Sequence, residues 1–162
     1  MRRQLIKVLA GLAVAGLLAG CGFQLRGQSQ LPFTAAHVEA ARGSALAEGL
    51  RQSLRGQDKL TEQSEGAPMR IRLGKESRQK NILSLSGAGK VKEYRLEYRV
   101  ELSAYNAAGV ELIAPAQIYL TREFSYSDTE VLAKEGEEAA LNRAMEREAL
   151  RQILRRLSYL KP

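Results

Sequence analysis

Apolar and polar residues alternate without interruption through EYRLEYRVELSAY, residues 93–105. Tyr94, Leu96, Tyr98, Val100, Leu102 and Ala104 fall on one side, and Arg95, Glu97, Arg99, Glu101 and Ser103 on the other. A period of two sends successive side chains to opposite faces, so the pattern predicts a long strand with one face buried and one in water. Asn106 to Gly109 (NAAG) supplies turn residues. Beyond it Val110, Leu112, Ala114, Ala116, Ile118, Leu120, Phe124 and Tyr126 share one face of a second strand, completing an antiparallel hairpin. Pro115 has no N–H for a ladder, which puts that point at an edge or a bulge.

Within MRIRLGKESRQKNILSLS, Met69, Ile71 and Leu73 alternate with Arg70 and Arg72, which reads as one further strand. GFQLRG (22–27) and FTAAHVEA (33–40) form a weaker strand region, and TEQSEGAP (61–68) is a connecting loop. Two stretches switch to helical spacing. Leu46, Leu50 and Leu54 repeat at intervals of four after Ser44, a suitable N-cap. Leu141, Ala144, Met145, Leu150, Ile153, Leu154 and Leu157 form a second apolar stripe, with Arg143, Glu146, Arg147 and Arg151 mostly outside it. Glu135, Glu137 and Glu138 near its start and Arg155, Arg156 and Lys161 near its end suit the helix dipole. Its first residue is open, at Asp128 or only after Gly136. The order strand, helix, three strands, helix predicts an α+β two-layer sandwich. It is a mainly antiparallel four-stranded sheet with both helices on one face and the Arg95/Arg99 face turned outward.

The N-terminus follows different rules. Arg2, Arg3 and Lys7 precede an apolar block from Val8 to Ala19, shorter than the roughly 20 residues a spanning helix needs. Leu18-Ala19-Gly20-Cys21 then matches a bacterial lipobox. Residues 1–20 therefore read as a cleaved lipoprotein signal and 21–162 as a single domain. Cys21, the sole cysteine, would carry an S-diacylglycerol and an N-acyl chain, enough for stable attachment to a membrane. Gly22 after it, in place of Asp, points to the periplasmic side of the outer membrane.

Composition narrows function mainly by exclusion. Loss of the first twenty residues lowers the net charge from +7 to +4, too little to argue for nucleic acid. One cysteine gives no internal disulfide, and no Cys/His cluster suggests a metal or another cofactor. His37, the single histidine, lies in an alternating structural segment. Glu97 and Glu101 are interleaved with arginines, as in a solvated ladder. Ser86 to Lys90 (SGAGK) fails the phosphate-loop pattern at Ser84 and Val91, and reads as a hairpin connection. No catalytic residue can be named, so the chain is not expected to be an enzyme.

The lipobox running into CGFQLRG, the EYRLEYRVELSAYNAAGVEL hairpin, and VLAK (131–134) ahead of the last helix together resemble the LPS-assembly lipoprotein family LptE. The resemblance implies two helices on a four-stranded sheet. It also implies a plug held one-to-one inside the outer-membrane β-barrel LptD, assisting its assembly and binding lipopolysaccharide during insertion into the outer leaflet. A basic residue of the family falls on Lys134. A second falls on Gly87, leaving nearby Lys90 and Lys92 to substitute in holding lipopolysaccharide. Two other readings are a lipoprotein scaffolding a different envelope machine and a periplasmic hydrolase. Replacing Cys21 with Ala is expected to give an unprocessed or soluble protein, seen by membrane fractionation and by loss of acyl label.

Overall fold

A computed structural model describes residues 31–160, and Cys21, the signal segment and GFQLRG lie outside them. The described chain runs β1 (Ala36–Glu39), α1 (Ala45–Arg55), β2 (Met69–Leu73), β3 (Ser77–Leu85), β4 (Val91–Asn106), β5 (Glu111–Ser125) and α2 (Val131–Ser158). β4 is the spine. Along one edge it pairs antiparallel with β5, and along the other with β2 and β3 in succession. β1 adds to the far side of β2 in parallel, as a strand returning through a crossover helix can. The sheet is therefore α+β and mainly antiparallel, with both helices packed on it, but it has five strands and not four.

The extra strand comes from a break, not from another column. β2 meets the distal part of β4 (Met69 opposite Asn106, Leu73 opposite Leu102), and β3 continues beside the proximal part (Ser77 opposite Arg99). Between them the chain presses onto β4 at Gly74, whose N–H donates to the Glu101 carbonyl at 2.8 Å. A Cβ at Gly74 would stand 2.9 Å from that of Glu101, so a larger residue could not make this approach.

The alternation of β4 places Leu96, Tyr98, Val100, Leu102 and Ala104 in the core. Met69, Ile71 and Leu73 join them from β2, Ala36 and Val38 from β1, and Ile118 and Phe124 from β5. Above this face α1 contributes Leu46, Ala47, Leu50 and Leu54, starting from Ser44, whose Oγ accepts from the Ala47 N–H at 2.9 Å. α2 buries Met145, Ala149, Ile153 and Leu157, with Leu141, Leu150 and Leu154 partly covered. The helices approach closely where Gly49 faces Leu150: a Cβ there would lie 3.2 Å from Leu150 Cδ2. α2 begins at Val131 without a side-chain cap, and its first turn holds no acid; the glutamates come just after it. Through its first ten residues no side chain is buried.

The outward face carries Arg72, Arg95 and Arg99, paired to Glu39 at 2.9 Å, Glu123 at 2.8 Å and Glu97 at 2.5 Å. Arg72 also lies over the Tyr105 ring and Arg99 over Tyr119, so the arginine stems and planes shield the sheet from one side.

β5 departs from its sequence pattern at Pro115. Ala116 and Ile113 are three positions apart while their partners, Leu102 and Ala104, are two apart, so β5 bulges around Ala114–Pro115. The bulge reverses the phase at Ile113, and a second register shift follows between Ile113 and Glu111, where two steps of β5 match one of β4. Ile113 turns toward the core, and Val110 and Leu112, expected inside, are left exposed. Ile113→Asp is accordingly expected to lower stability by about 1–3 kcal/mol, whereas Leu112→Asp stays within about 0.5 kcal/mol, as measured by denaturant unfolding.

Candidate functional site

One end of the sheet gathers the three lysines singled out from the sequence. The β3–β4 hairpin closes there through Ser86–Lys90, with Leu85 opposite Val91 and Gly89 at φ +75°. β5 ends beside it, the Tyr126 N–H donating to the Lys92 carbonyl at 2.9 Å. The chain then crosses residues 126–130 and enters α2. Lys90, Lys92 and Lys134 thus come from three local contexts to one edge of the fold.

Their surroundings differ. Lys90 is exposed and its Nζ lies 3.0 Å from Asp128 Oδ2. Lys92 is exposed, with no ion-pair partner among the described residues. Lys134 is the most enclosed, its side chain 15% exposed. Its Nζ donates to Ser125 Oγ at 3.1 Å and to Glu137 Oε2 at 2.9 Å. An ammonium has three N–H donors, so one remains for an incoming oxygen. Gly87 sits exposed at the hairpin tip, with open space where a side chain would project.

The same end exposes large apolar side chains. Ile82 and Leu85 lie at the end of β3, and Leu132 in the first turn of α2 is 83% exposed. Behind them Tyr94, Phe124 and Tyr126 cluster, Tyr94 stacking on Phe124 with centroids 5.8 Å apart and meeting Tyr126 edge-on at 5.2 Å. Lys80, which the sequence did not single out, sits over this cluster with its ammonium 4.2 Å from the Tyr94 centroid. It also reaches Glu138 Oε2 at 2.5 Å, tying the start of α2 to β3. The break at Gly74 explains the omission. Read as one strand with β2, β3 gives no reason to place Arg78, Lys80 and Ile82 on the helix side, but the register sets them opposite Tyr98, Leu96 and Tyr94.

A second polar cluster lies between the layers. Glu76 accepts from Tyr98 Oη at 2.7 Å and from Ser44 Oγ, joining β4 to the N-terminus of α1. Arg78 bridges from Glu76 to Glu146 of α2 at 2.8 Å and lies over the Tyr98 ring. Each member is already engaged: the Ser44 hydroxyl both caps its helix and donates to Glu76, leaving no nucleophile beside an idle base. His37 stands apart on β1, its Nδ1 3.2 Å from the Thr61 carbonyl. Among the described residues no group of three His, Cys, Asp or Glu is placed to hold a metal, and no buried side-chain polar atom lacks a partner. No helix there is long and apolar enough to cross a membrane.

Burial, followed by the bond to the Glu76 carboxylate, pushes the Tyr98 phenol well above its ordinary value near 10. A raised phenol contributes stability that is complete below pH 10 and is lost as the pH climbs above it, because the unfolded chain ionises first. Tyr98→Phe is expected to cost about 1–3 kcal/mol at pH 7. It should also make the alkaline loss of stability shallower by one proton, read from unfolding midpoints between pH 8 and 11.

Comparison with known proteins gives a consistent set of likenesses. The family model LptE, described as lipopolysaccharide-assembly, matches residues 32–157. The "LPS-assembly lipoprotein LptE" of Photorhabdus laumondii is 31% identical over 97% of this chain and 87% of that protein. Its namesake in Pectobacterium atrosepticum is 29% identical over 97% and 86%. Among solved structures, an uncharacterized lipoprotein B from Nitrosomonas europaea superimposes with a TM-score of 0.73 at 36% identity. It covers 85% of this chain and 90% of its own. The rare lipoprotein B of Shewanella oneidensis shares the fold at 24% identity, with a TM-score of 0.65 over 75% of this chain and 91% of its own.

Proposed function

We propose, from the premise that this chain belongs to the LptE family of lipopolysaccharide-assembly lipoproteins, that it plugs the LptD barrel and grips lipopolysaccharide through its lysine-bearing end. The relatives are named LPS-assembly lipoproteins, a non-enzymatic role that is consistent with a location in the cell envelope. The observation that carries the finer reading is the pairing of Lys90, Lys92 and Lys134 with exposed Ile82, Leu85 and Leu132 at one edge. Lipopolysaccharide offers the complementary pair: phosphates for the ammonium groups and acyl chains for the apolar ones. Lys134 would serve as the fixed donor, since Ser125 and Glu137 already orient it, and the exposed Lys90 and Lys92 as adaptable ones.

The outward sheet face supports the plug. Arg72, Arg95 and Arg99 there are balanced by glutamates, and Arg72 and Arg99 lie over tyrosines, giving a polar surface suited to the wet lumen of a barrel. Cys21, acylated after removal of residues 1–20, would hold the domain at the periplasmic side of the outer membrane, with no other cofactor required.

Two measurements test this reading. A pull-down from detergent-solubilised outer membrane is expected to recover a one-to-one complex with a large barrel; isolation of the protein alone would refute the plug. Changing Lys90, Lys92 and Lys134 together to Met should weaken lipopolysaccharide binding by about tenfold or more. The thermal midpoint should move by no more than roughly 5 °C, because exposed ion pairs contribute little. Equal affinity would remove the lysines from the site.

A further inference from the structure

The β5 bulge shapes the opposite end of the sheet as well. By turning Leu112 out of the core it supplies one wall of a cavity of about 340 Å³. Phe33, Pro68, Met69 and Leu160 form other apolar walls. Asn106, one of the few polar lining residues, is occupied: its Oδ1 accepts from the Val110 N–H at 2.9 Å. The interior therefore offers apolar surface and little else. Its volume is at the low end of ligand pockets, which span about 300–1,000 Å³, so it suits one slender group.

One cation stands beside a wall residue. The Lys59 ammonium lies 5.7 Å from the Phe33 ring centroid and donates to the Phe33 carbonyl. It makes no ion pair among the described residues, unlike Arg72, Arg95 and Arg99 on the outward sheet face. An apolar slot beneath unbalanced positive charge complements an anion that carries a hydrocarbon tail.

We propose that this cavity binds one fatty-acyl chain of an anionic glycerophospholipid, with the chain in the slot and the phosphate on Lys59. The size of the slot favours a single chain over a ligand with many. Pro32, beside the first described residue, lines the same cavity, and Leu31 stands only ten positions after Cys21. If Cys21 is acylated as proposed above, that span reaches at most about 35 Å, so membrane lipid is near at hand. The site lies at the far end of the sheet from Lys134 and does not depend on lipopolysaccharide binding there.

The test uses the mature chain carrying Cys21→Ser, free of detergent, titrated calorimetrically with lauroyl lysophosphatidylglycerol below its micelle concentration. Saturable one-to-one binding with a negative heat-capacity change is expected. Leu112→Asp should weaken it about tenfold or more. Lys59→Gln should weaken it and reduce its salt dependence. Lys134→Met should leave it unchanged. No saturable binding, or equal affinity in both the Lys59 and Leu112 variants, overturns the proposal. Loss of binding in Lys134→Met would move the ligand to the lysine end, and stoichiometric displacement by lipid A would assign the slot to the glycolipid; either result overturns it. Fractionation of the wild-type protein scores the Cys21 anchor separately, so failure of the anchor and failure of the pocket are read apart.

Discussion

Every layer of this fold depends on the hydrogen-bond ladders along both edges of β4. One edge holds β5 over nearly its full length, and the other holds β2 and β3 end to end. Because β4 alternates strictly, its pairing partners inherit a face assignment from it, and the helices have a single apolar surface to cover. The polar cluster around Glu76 then fixes how the two layers meet. It joins the α1 cap, the β2–β3 break, Tyr98 of β4 and, through Arg78, Glu146 of α2.

Much of this was legible because burial on one face and water on the other write a period into the chain. The β4 alternation, the Ser44 cap with Leu46, Leu50 and Leu54, and the Met145–Leu157 stripe all belong to elements with one dry side. The misread parts are those where a local backbone event resets the phase. Gly74 interrupts a strand yet leaves both halves in one column, so the expected strand became two. Pro115 correctly marked a bulge, but the direction of the slip, which exchanged Leu112 for Ile113, depends on register with β4 and is not contained in the segment itself.

The lysine-bearing end was legible only in part, for a related reason. Lys90, Lys92 and Lys134 were placed by resemblance and proximity in sequence, and the fold does bring them to one edge. Lys80 was invisible because its role comes from pairing across strands, opposite Leu96 and beneath Glu138. An ammonium over three aromatic rings is a tertiary arrangement; Tyr94, Phe124 and Tyr126 lie too far apart along the chain to signal it.

The bare beginning of α2 has a consequence for how this end can vary. Ten residues of helix stand clear of the core, uncapped and interrupted by Gly136, and are fastened by Lys80–Glu138 and the Lys134–Ser125 contact. Substitutions there forfeit little of the energy that maintains the body of the protein, which resides farther along at Met145 and beyond. Drift in charge and length at this tip is therefore cheap, and the lineage can retune what the tip touches while the scaffold beneath it stays as it is.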